Sequence, residues 1–352
     1  MAKAGGGMES FANRIWYGNF RLHLLLLPLT PLFAAVAASR RFLYRYRILK
    51  SYRIPVPVIV VGNITVGGSG KTPITLWVAR ELQGSGLNPA IISRGYGGTS
   101  GNGTTLVTAQ SDPAVVGDEP VLLARRTDCP VYVNSNRVDA AEAAVSGGAN
   151  IIVSDDGLQH YRLQRDAEIV VLDGERGLGN GHLLPAGPLR EPEGRLESID
   201  RILIQCEIDG ALPRYGNRAF DRRTTRFTLV GDAVENVADG SIRPVEEFSG
   251  KTVHAVAGIA NPDRFFRQLE YLGLDVKRHP LPDHAVIAAD DIAFDDDLDV
   301  IVTEKDAVKC KAIAHERLWF LPVHAAFDSE ENMQWAKSMR SKLMESVSGT
   351  AD

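Results

Sequence analysis

Residues 58–73 read VIVVGNITVGGSGKTP, and no other stretch limits the fold as tightly. An apolar run with no polar alternates suits a strand covered on both faces, which a parallel sheet provides and a surface hairpin does not. The glycines that follow, and the Lys-Thr that opens the next helical pattern, match a loop whose backbone N–H groups turn toward an anion at the positive end of a helix. In this reading Thr65, Val66, Gly67, Gly68, Ser69 and Gly70 form a phosphate cradle, Lys71 reaches the β- and γ-phosphates of a nucleotide such as ATP, and Thr72 holds Mg2+. The strict pattern GxxxxGK[ST] asks for glycine at position 65, so the loop entry is expected to be built differently around Thr65.

A second constellation lies in residues 151–160, IIVSDDGLQH, where a short apolar run ends in two acids. A carboxylate at the C-terminal edge of a neighbouring strand faces the nucleotide's Mg2+ across the phosphate loop, so Asp155 or Asp156 is a candidate metal ligand. Adjacent strand residues point to opposite sides, which leaves open which of the two touches the metal. SRGYGG (93–98) and GDEP (117–120) read by themselves as loops. Arg94 at a strand end could face phosphate and Tyr96 could stack on a base or sugar, while Asp118 and Glu119 suit a helix N-terminus for ordinary dipole reasons. LPDHA (281–285) carries an Asp283-His284 pair. TEKD (303–306) is near the guanine-reading N/T-K-x-D pattern, but Lys305 and Asp306 are adjacent, which weakens a GTPase reading.

Along the chain, β-rich runs at 56–61, 90–93, 131–133, 151–153, 168–172 and 201–205 alternate with helical patterns at 72–83, 119–126 and 137–145. This alternation predicts an α/β fold, P-loop NTPase-like, with a mostly parallel sheet and helices on both faces. A looser stretch at 207–230 suggests a boundary near 210, giving a P-loop domain over 54–210 and a smaller C-terminal α/β domain over 211–346 that contributes to the cleft. In that second part strands are expected at 253–257, 300–303 and 319–322 and helices at 262–272 and 330–345, with a disordered tail at 347–352. Residues 174–195, GERGLGNGHLLPAGPLREPEGR, form a Gly/Pro-rich connection too long to be an ordinary link, as functional loops often are.

The N-terminal 53 residues carry nine Lys/Arg against one acid, about +8, so that the remainder carries about −13 of the net −5. This basic head encloses the apolar run LLLLPLTPLFAAVAA (24–38), followed by Arg40, Arg41, Arg45 and Arg47 among aromatic residues. Fifteen helical residues reach only about 22 Å, short of the roughly 30 Å hydrocarbon core, and Pro28 and Pro31 interrupt the run. A membrane anchor, an interfacial helix, a buried core helix and a signal peptide are the competing readings. A nucleotide loop downstream favours a membrane-associating segment over 1–53 with a cytoplasmic body. Three scattered cysteines, Cys129, Cys206 and Cys310, argue against a disulfide framework or a zinc site.

Taken together, PVPVIVVGNITVGGSGKTP, SRGYGG, GDEP, VSDDGLQH, LDGERGLGNGHLLPAGPLRE, AGIANPDRFF, PDH and TEKDAVK run in order from residue 55 to about 310. They closely resemble the tetraacyldisaccharide 4'-kinases, the lipid A 4'-kinases of Gram-negative envelope synthesis. The resemblance implies transfer of the ATP γ-phosphoryl group to the 4'-hydroxyl of a lipid A disaccharide 1-phosphate, giving lipid IVA, with Mg2+, at the cytoplasmic face of the inner membrane. Inner-membrane lipids are then expected partners, and neither nucleic acid nor an obligate protein partner is expected. By the same resemblance Asp118 accepts the proton of the sugar hydroxyl, and His284 pairs with Asp118, raising its basicity and orienting it. Glu119 and Asp156, with Asp155 nearby, arrange Mg2+, and Arg94 and Tyr96 sit close to the nucleotide. Many members carry an aromatic after Asp-His, where this chain continues Ala285-Val286-Ile287. A membrane-recruited P-loop nucleotide switch or ATPase is the alternative from a different class.

Overall fold

The structure, a computed structural model, describes residues 15–18, 22–96, 98, 103–207 and 223–327. An apolar helix, α1 (His23–Arg45), comes first. Then follow β1 (Val58–Gly62), α2 (Lys71–Gln83), β2 (Pro89–Ser93), β3 (Thr105–Val107), α3 (Asp118–Arg126), β4 (Val131–Val133), α4 (Arg137–Ser146), β5 (Ile151–Asp155), β6 (Ala167–Asp173), β7 (Arg201–Gln205) and β8 (Thr224–Val230). The second part contains β9 (Ala233–Asn236), β10 (Ile242–Pro244), β11 (Thr252–Ala257), α5 (Pro262–Tyr271), β12 (Asp275–Pro280), β13 (Val300–Thr303), α6 (Glu304–Cys310), β14 (Leu318–Leu321) and β15 (His324–Phe327). The expected helix at 330–345 and tail at 347–352 lie outside the described residues.

Nine strands form one sheet in the order β15-β8-β7-β6-β1-β5-β2-β4-β3, parallel except at its two edges. β1 lies between β6 and β5, and every one of its residues is buried. Ile59 and Val61 enter the core on one face, Val58 and Val60 the core on the other, which is why the run lacks alternation. The chain passes from β1 to β2 and back to β5 on one side, then crosses to β6 on the other. The C-terminal end of β1 is therefore the topological switch point, where open α/β sheets hold their ligands.

A six-stranded sheet, β10-β9-β14-β13-β11-β12, makes the second layer system, with apolar clusters around Phe248, Phe266 and Trp319 on one face and Ile292, Val302 and Leu318 on the other. The large sheet crosses the boundary expected at 210. β8 extends it beyond β7, and β15 returns to pair with β8 after the second sheet is complete. The reason lies in the sequence TTRFTLV, whose polar positions hide a strand that buries Phe227 completely and sets it 6.1 Å from Phe327.

The prolines of the N-terminal head do not stop the helix. Pro28 occupies a 3₁₀ turn (Leu27–Leu29) and Pro31 the first turn of the segment Thr30–Arg45, positions where a missing N–H costs little. The result is a continuous helical element of 23 residues, about 34 Å at 1.5 Å per residue, against the 22 Å expected from the apolar run alone. None of its apolar window is buried. Leu25, Leu29, Leu32 and Val36 share one face and are all more than half exposed. The helix meets the body near its ends, where His23 stacks on His182 and Tyr44 lies against Tyr161.

Candidate active site

The phosphate loop leaves β1 and enters α2 through Gly70, which takes φ 79°. The positive φ favours glycine, and a Cβ there would stand 2.7 Å from Gln205 Oε1, so that side chain would have to move. Asn63 ties the loop from within, its amide donating to the carbonyl of Gly67 at 3.2 Å and to Ser69 Oγ at 3.3 Å. Thr65 sits in a bridge to Leu189, and the Val66 N–H donates to the carbonyl of Pro188 at 2.8 Å. These contacts account for Thr65 in place of glycine: its φ is not positive, and the Gly/Pro-rich connection at 174–195 braces the entry as an added strand would. The connection in turn accepts from Trp16, whose indole donates to the Pro185 carbonyl at 3.0 Å, and Tyr17 donates to the Val66 carbonyl at 3.3 Å.

Lys71 opens α2 and lies 3.7 Å from Asp156 Oδ1. β5 pairs with β1 in register Val61↔Asp155, so the DD pair emerges beside the phosphate loop. Asp155 ends the strand while Asp156 takes φ 46°, which divides the two carboxylates. Asp155 is buried and accepts from Thr75 Oγ1 at 2.9 Å. Burial, together with the nearby charges of Glu119 and Asp156, pushes its carboxyl well above the usual range. Asp156 is the opposite case: burial disfavours its charge, but Lys71 and Arg190, the latter at 3.3 Å, hold it down at about 2. Arg137, fully enclosed, donates to the carbonyls of Asp155 and Asp156 at 2.9 and 3.2 Å and fixes the turn.

SRGYGG and GDEP prove to be one unit. Gly117, at φ 93°, caps α3, and a Cβ on it would approach the carbonyl of Tyr96 to 2.8 Å, so the two loops can touch only through glycine. Asp118 and Glu119 form the first turn of α3. Arg94 is exposed at the end of β2, close enough to Arg137 to disfavour a second positive charge there. Tyr96 is exposed, with its ring 5.4 Å from that of His284.

His284 comes from the second sheet's connection after β12 and has φ 56°. Its Nδ1 lies 3.2 Å from Asp118 Oδ2, so the two halves of the molecule meet at this pair. The pairing is as expected; the raised basicity is not. Burial would lift the Asp118 carboxyl, yet the hydrogen bond from His284 and the charges of Lys305 and Lys309 bring it down to about 2. Lys305, read in the sequence only against a guanine motif, is the site residue that sequence reasoning missed. Its ammonium donates to Glu119 Oε1 at 3.1 Å and to His284 Nε2 at 3.2 Å, and lies 3.8 Å from Asp283. Asp306 is internal scaffolding: completely buried, it accepts from the Gly258 N–H and from Thr303 Oγ1 and pairs with Lys309 at 2.7 Å. In the stretch Ala285-Val286-Ile287, which follows Asp-His where many members were expected to carry an aromatic, Val286 is 87% exposed and Ile287 is buried.

Thr72, Glu119, Asp155 and Asp156 were the expected Mg2+ ligands. Among the described residues no three His, Cys, Asp or Glu side chains converge as a ready cage. The donors nonetheless fit the ion: hard oxygen ligands lie beside the loop, and the charges of Glu119 and Asp156 add to burial in lifting Asp155. Magnesium characteristically takes one or two protein carboxylates and leaves its other positions to phosphates and water.

A P-loop at the switch point of a mostly parallel sheet, with a carboxylate pair on the next strand and an Asp-His pair that joins this sheet's side to a second sheet, defines a nucleotide-dependent phosphotransferase. Residues 22–342 match the profile of the family described as tetraacyldisaccharide-1-P 4'-kinase. The tetraacyldisaccharide 4'-kinase of Methylobacillus flagellatus is 48% identical over 326 residues, covering 92% of this chain and 94% of that protein. That of Alkalilimnicola ehrlichii is 49% identical over 307 residues, covering 87% and 89%. A crystal structure of the "apo" form of LpxK from Aquifex aeolicus in complex with ATP superposes with TM-score 0.75 at 27% identity, covering 91% of this chain and 99% of that one. The chain belongs to the tetraacyldisaccharide 4'-kinase family and is a kinase of lipid A biosynthesis.

Proposed function

We propose that the site works as follows. The amides of residues 65–72 and Lys71 receive the ATP phosphates, and the 4'-hydroxyl of the tetraacyldisaccharide 1-phosphate enters between Asp118 and the γ-phosphate. Asp118 accepts the hydroxyl proton as the oxygen bonds to phosphorus, and the bond to the β–γ bridging oxygen breaks to release ADP. Thr72, Asp156 and Glu119, with Asp155 behind them, would hold Mg2+, which neutralises charge on the phosphoryl oxygens. A weakly basic Asp118 is adequate, because the transition state is loose and the hydroxyl proton is transferred late. Arg94 and Tyr96 line the nucleotide side. The observation that carries this reading is the Asp118–His284 contact across the two sheets, with Glu119 in the same first turn of α3. A switch reading loses its motive, since Lys305 and Asp306 are both occupied elsewhere. Full-length protein in detergent micelles with γ-labelled ATP and Mg2+ should transfer label to the 4'-position of the disaccharide; no incorporation overturns the proposal.

We infer further that α1 docks the enzyme on the cytoplasmic face of the inner membrane, where a substrate with four acyl chains resides. Its exposed apolar face and the arginines that follow suit an anionic lipid surface. Leu32, 68% exposed, should contribute about 2 kcal/mol to that contact. Leu32→Glu is expected to weaken partitioning onto anionic vesicles by roughly thirtyfold in a flotation assay, with unchanged turnover on a short-chain soluble acceptor. Undiminished flotation would move the docking surface elsewhere.

A further inference from the structure

His284 has two ring nitrogens, and the partner of one decides what the other can do. Nδ1 faces Asp118 Oδ2 at 3.2 Å; Nε2 faces Lys305 Nζ at 3.2 Å. An ammonium group has three donors and no acceptor. An ammonium donating at Nε2 fits a ring that accepts there and carries a proton on Nδ1, facing the Asp118 carboxylate. The Asp283 carboxylate stands farther off, its Oδ1 3.9 Å from Nε2, so the ammonium is the nearer of the two groups behind the ring.

We propose that Lys305 is a positioning residue of the transfer reaction: its ammonium caps Nε2 of His284, confines the imidazole proton to Nδ1 and aims that proton at Asp118. Asp118 then receives the substrate proton, and His284 orients it.

The surroundings of Lys305 are built for this. The residue opens α6 directly after β13, whose last residue, Thr303, caps the helix by accepting from the Asp306 N–H. Asp306 is locked by the Gly258 N–H, the strand end that also accepts from the His284 N–H at 3.2 Å. One rigid corner of the second sheet therefore carries both Lys305 and His284. Only 17% of the lysine side chain is exposed, and Glu119 and Asp283 balance its charge. Because Glu119 belongs to α3 of the large sheet, the same ammonium also spans the cleft beside the dyad.

This inference rests on the reading of Asp118 and His284 as the reacting pair, and a double-mutant cycle separates the two claims. Rates are measured for full-length wild type, His284→Ala, Lys305→Met, Lys305→Arg and the double variant His284→Ala/Lys305→Met, with the disaccharide acceptor in micelles. Lys305→Met is expected to lower kcat on the order of 10- to 100-fold with the KM for ATP unchanged. Lys305→Arg, which keeps a cationic donor, should recover part of that loss. The decisive value is the double variant, which should be no slower than His284→Ala alone, since Lys305 has nothing to aim once the ring is gone. Multiplicative losses in the double variant, or a Lys305→Met enzyme of normal rate, overturn the role of Lys305 while leaving the dyad intact. A His284→Ala enzyme of normal rate overturns the dyad itself. Should Lys305→Met lose its cooperative melting transition, Lys305→Gln replaces it in the cycle and is read by the same criteria.

Discussion

Asp118→Asn is expected to lower kcat by about 10²- to 10⁴-fold, the range for removing a proton acceptor together with its charge, while ATP binding by calorimetry stays close to wild type. The substitution keeps size and the acceptor for the Glu119 N–H, which now reaches Asp118 Oδ1 at 2.9 Å, so α3 should keep its first turn. What disappears is the anion opposite His284 Nδ1. Binding should be spared because the phosphate cradle belongs to a separate part of the sheet, between β1 and α2. The pH dependence has a defined sign. A carboxyl held at about 2, below its ordinary 3.8, contributes stability that is present above pH 3.8 and lost as the pH falls toward 2. Asp118 is therefore ionised throughout the workable range, and an acid limb in the wild-type rate profile near neutrality would have to come from another group. A near-normal rate for Asp118→Asn would remove Asp118 from the proton-accepting role.

The parts of this molecule that were legible in the sequence are those where local pattern and global fold agree. β1, α2 and β5 announce themselves because a fully buried strand, a glycine turn and a helix start each need a restricted set of residues. β8 did not, since an outer strand burying alternate residues reads as a polar stretch when its neighbours are unknown. The site divides along the same line. Lys71, Asp155 and Asp156 stand next to backbone features that sequence spacing encodes. The meeting of Asp118 and His284 is separated by 166 positions, and composition alone gave neither residue more than a loop or helix-cap role; family resemblance joined them. Lys305 stayed unread for a more specific reason. TEKD was compared with a motif in which lysine serves a base, whereas here the lysine faces an imidazole and an acid brought in by other elements. Tertiary partners define such a residue, and no local signal precedes them.

Lys71→Met should be the other severe substitution, lowering kcat by about 10²- to 10³-fold, as for loss of a preorganised charge on the transferring group, and raising the KM for ATP as well. That second effect distinguishes it from Asp118→Asn in steady-state kinetics at varied ATP. The argument begins from placement. Gly70 turns the chain so that Lys71 stands at the positive end of α2, and only 12% of its side chain is exposed. Its nearest opposite charge is Asp156, 3.7 Å away and shared with Arg190. A lysine held at that distance is screened but not consumed, so it can turn to a phosphate at little cost. Removal leaves Asp156 with Arg190 and the more weakly acting charge of Arg137. The Asp156 carboxyl, now held at about 2 against burial, should then rise toward its ordinary value. The stability it gives above pH 3.8 shrinks, and acid unfolding begins at a higher pH in circular-dichroism titrations. About a third of the Asp156 side chain remains open to solvent, so this stability loss should be minor beside the kinetic one. Lys71→Arg keeps the charge but carries a planar fork that the tight loop cannot seat as a point donor, so it should recover binding of ATP better than turnover. Equal recovery of both would show that charge alone, without placement, is what the loop requires.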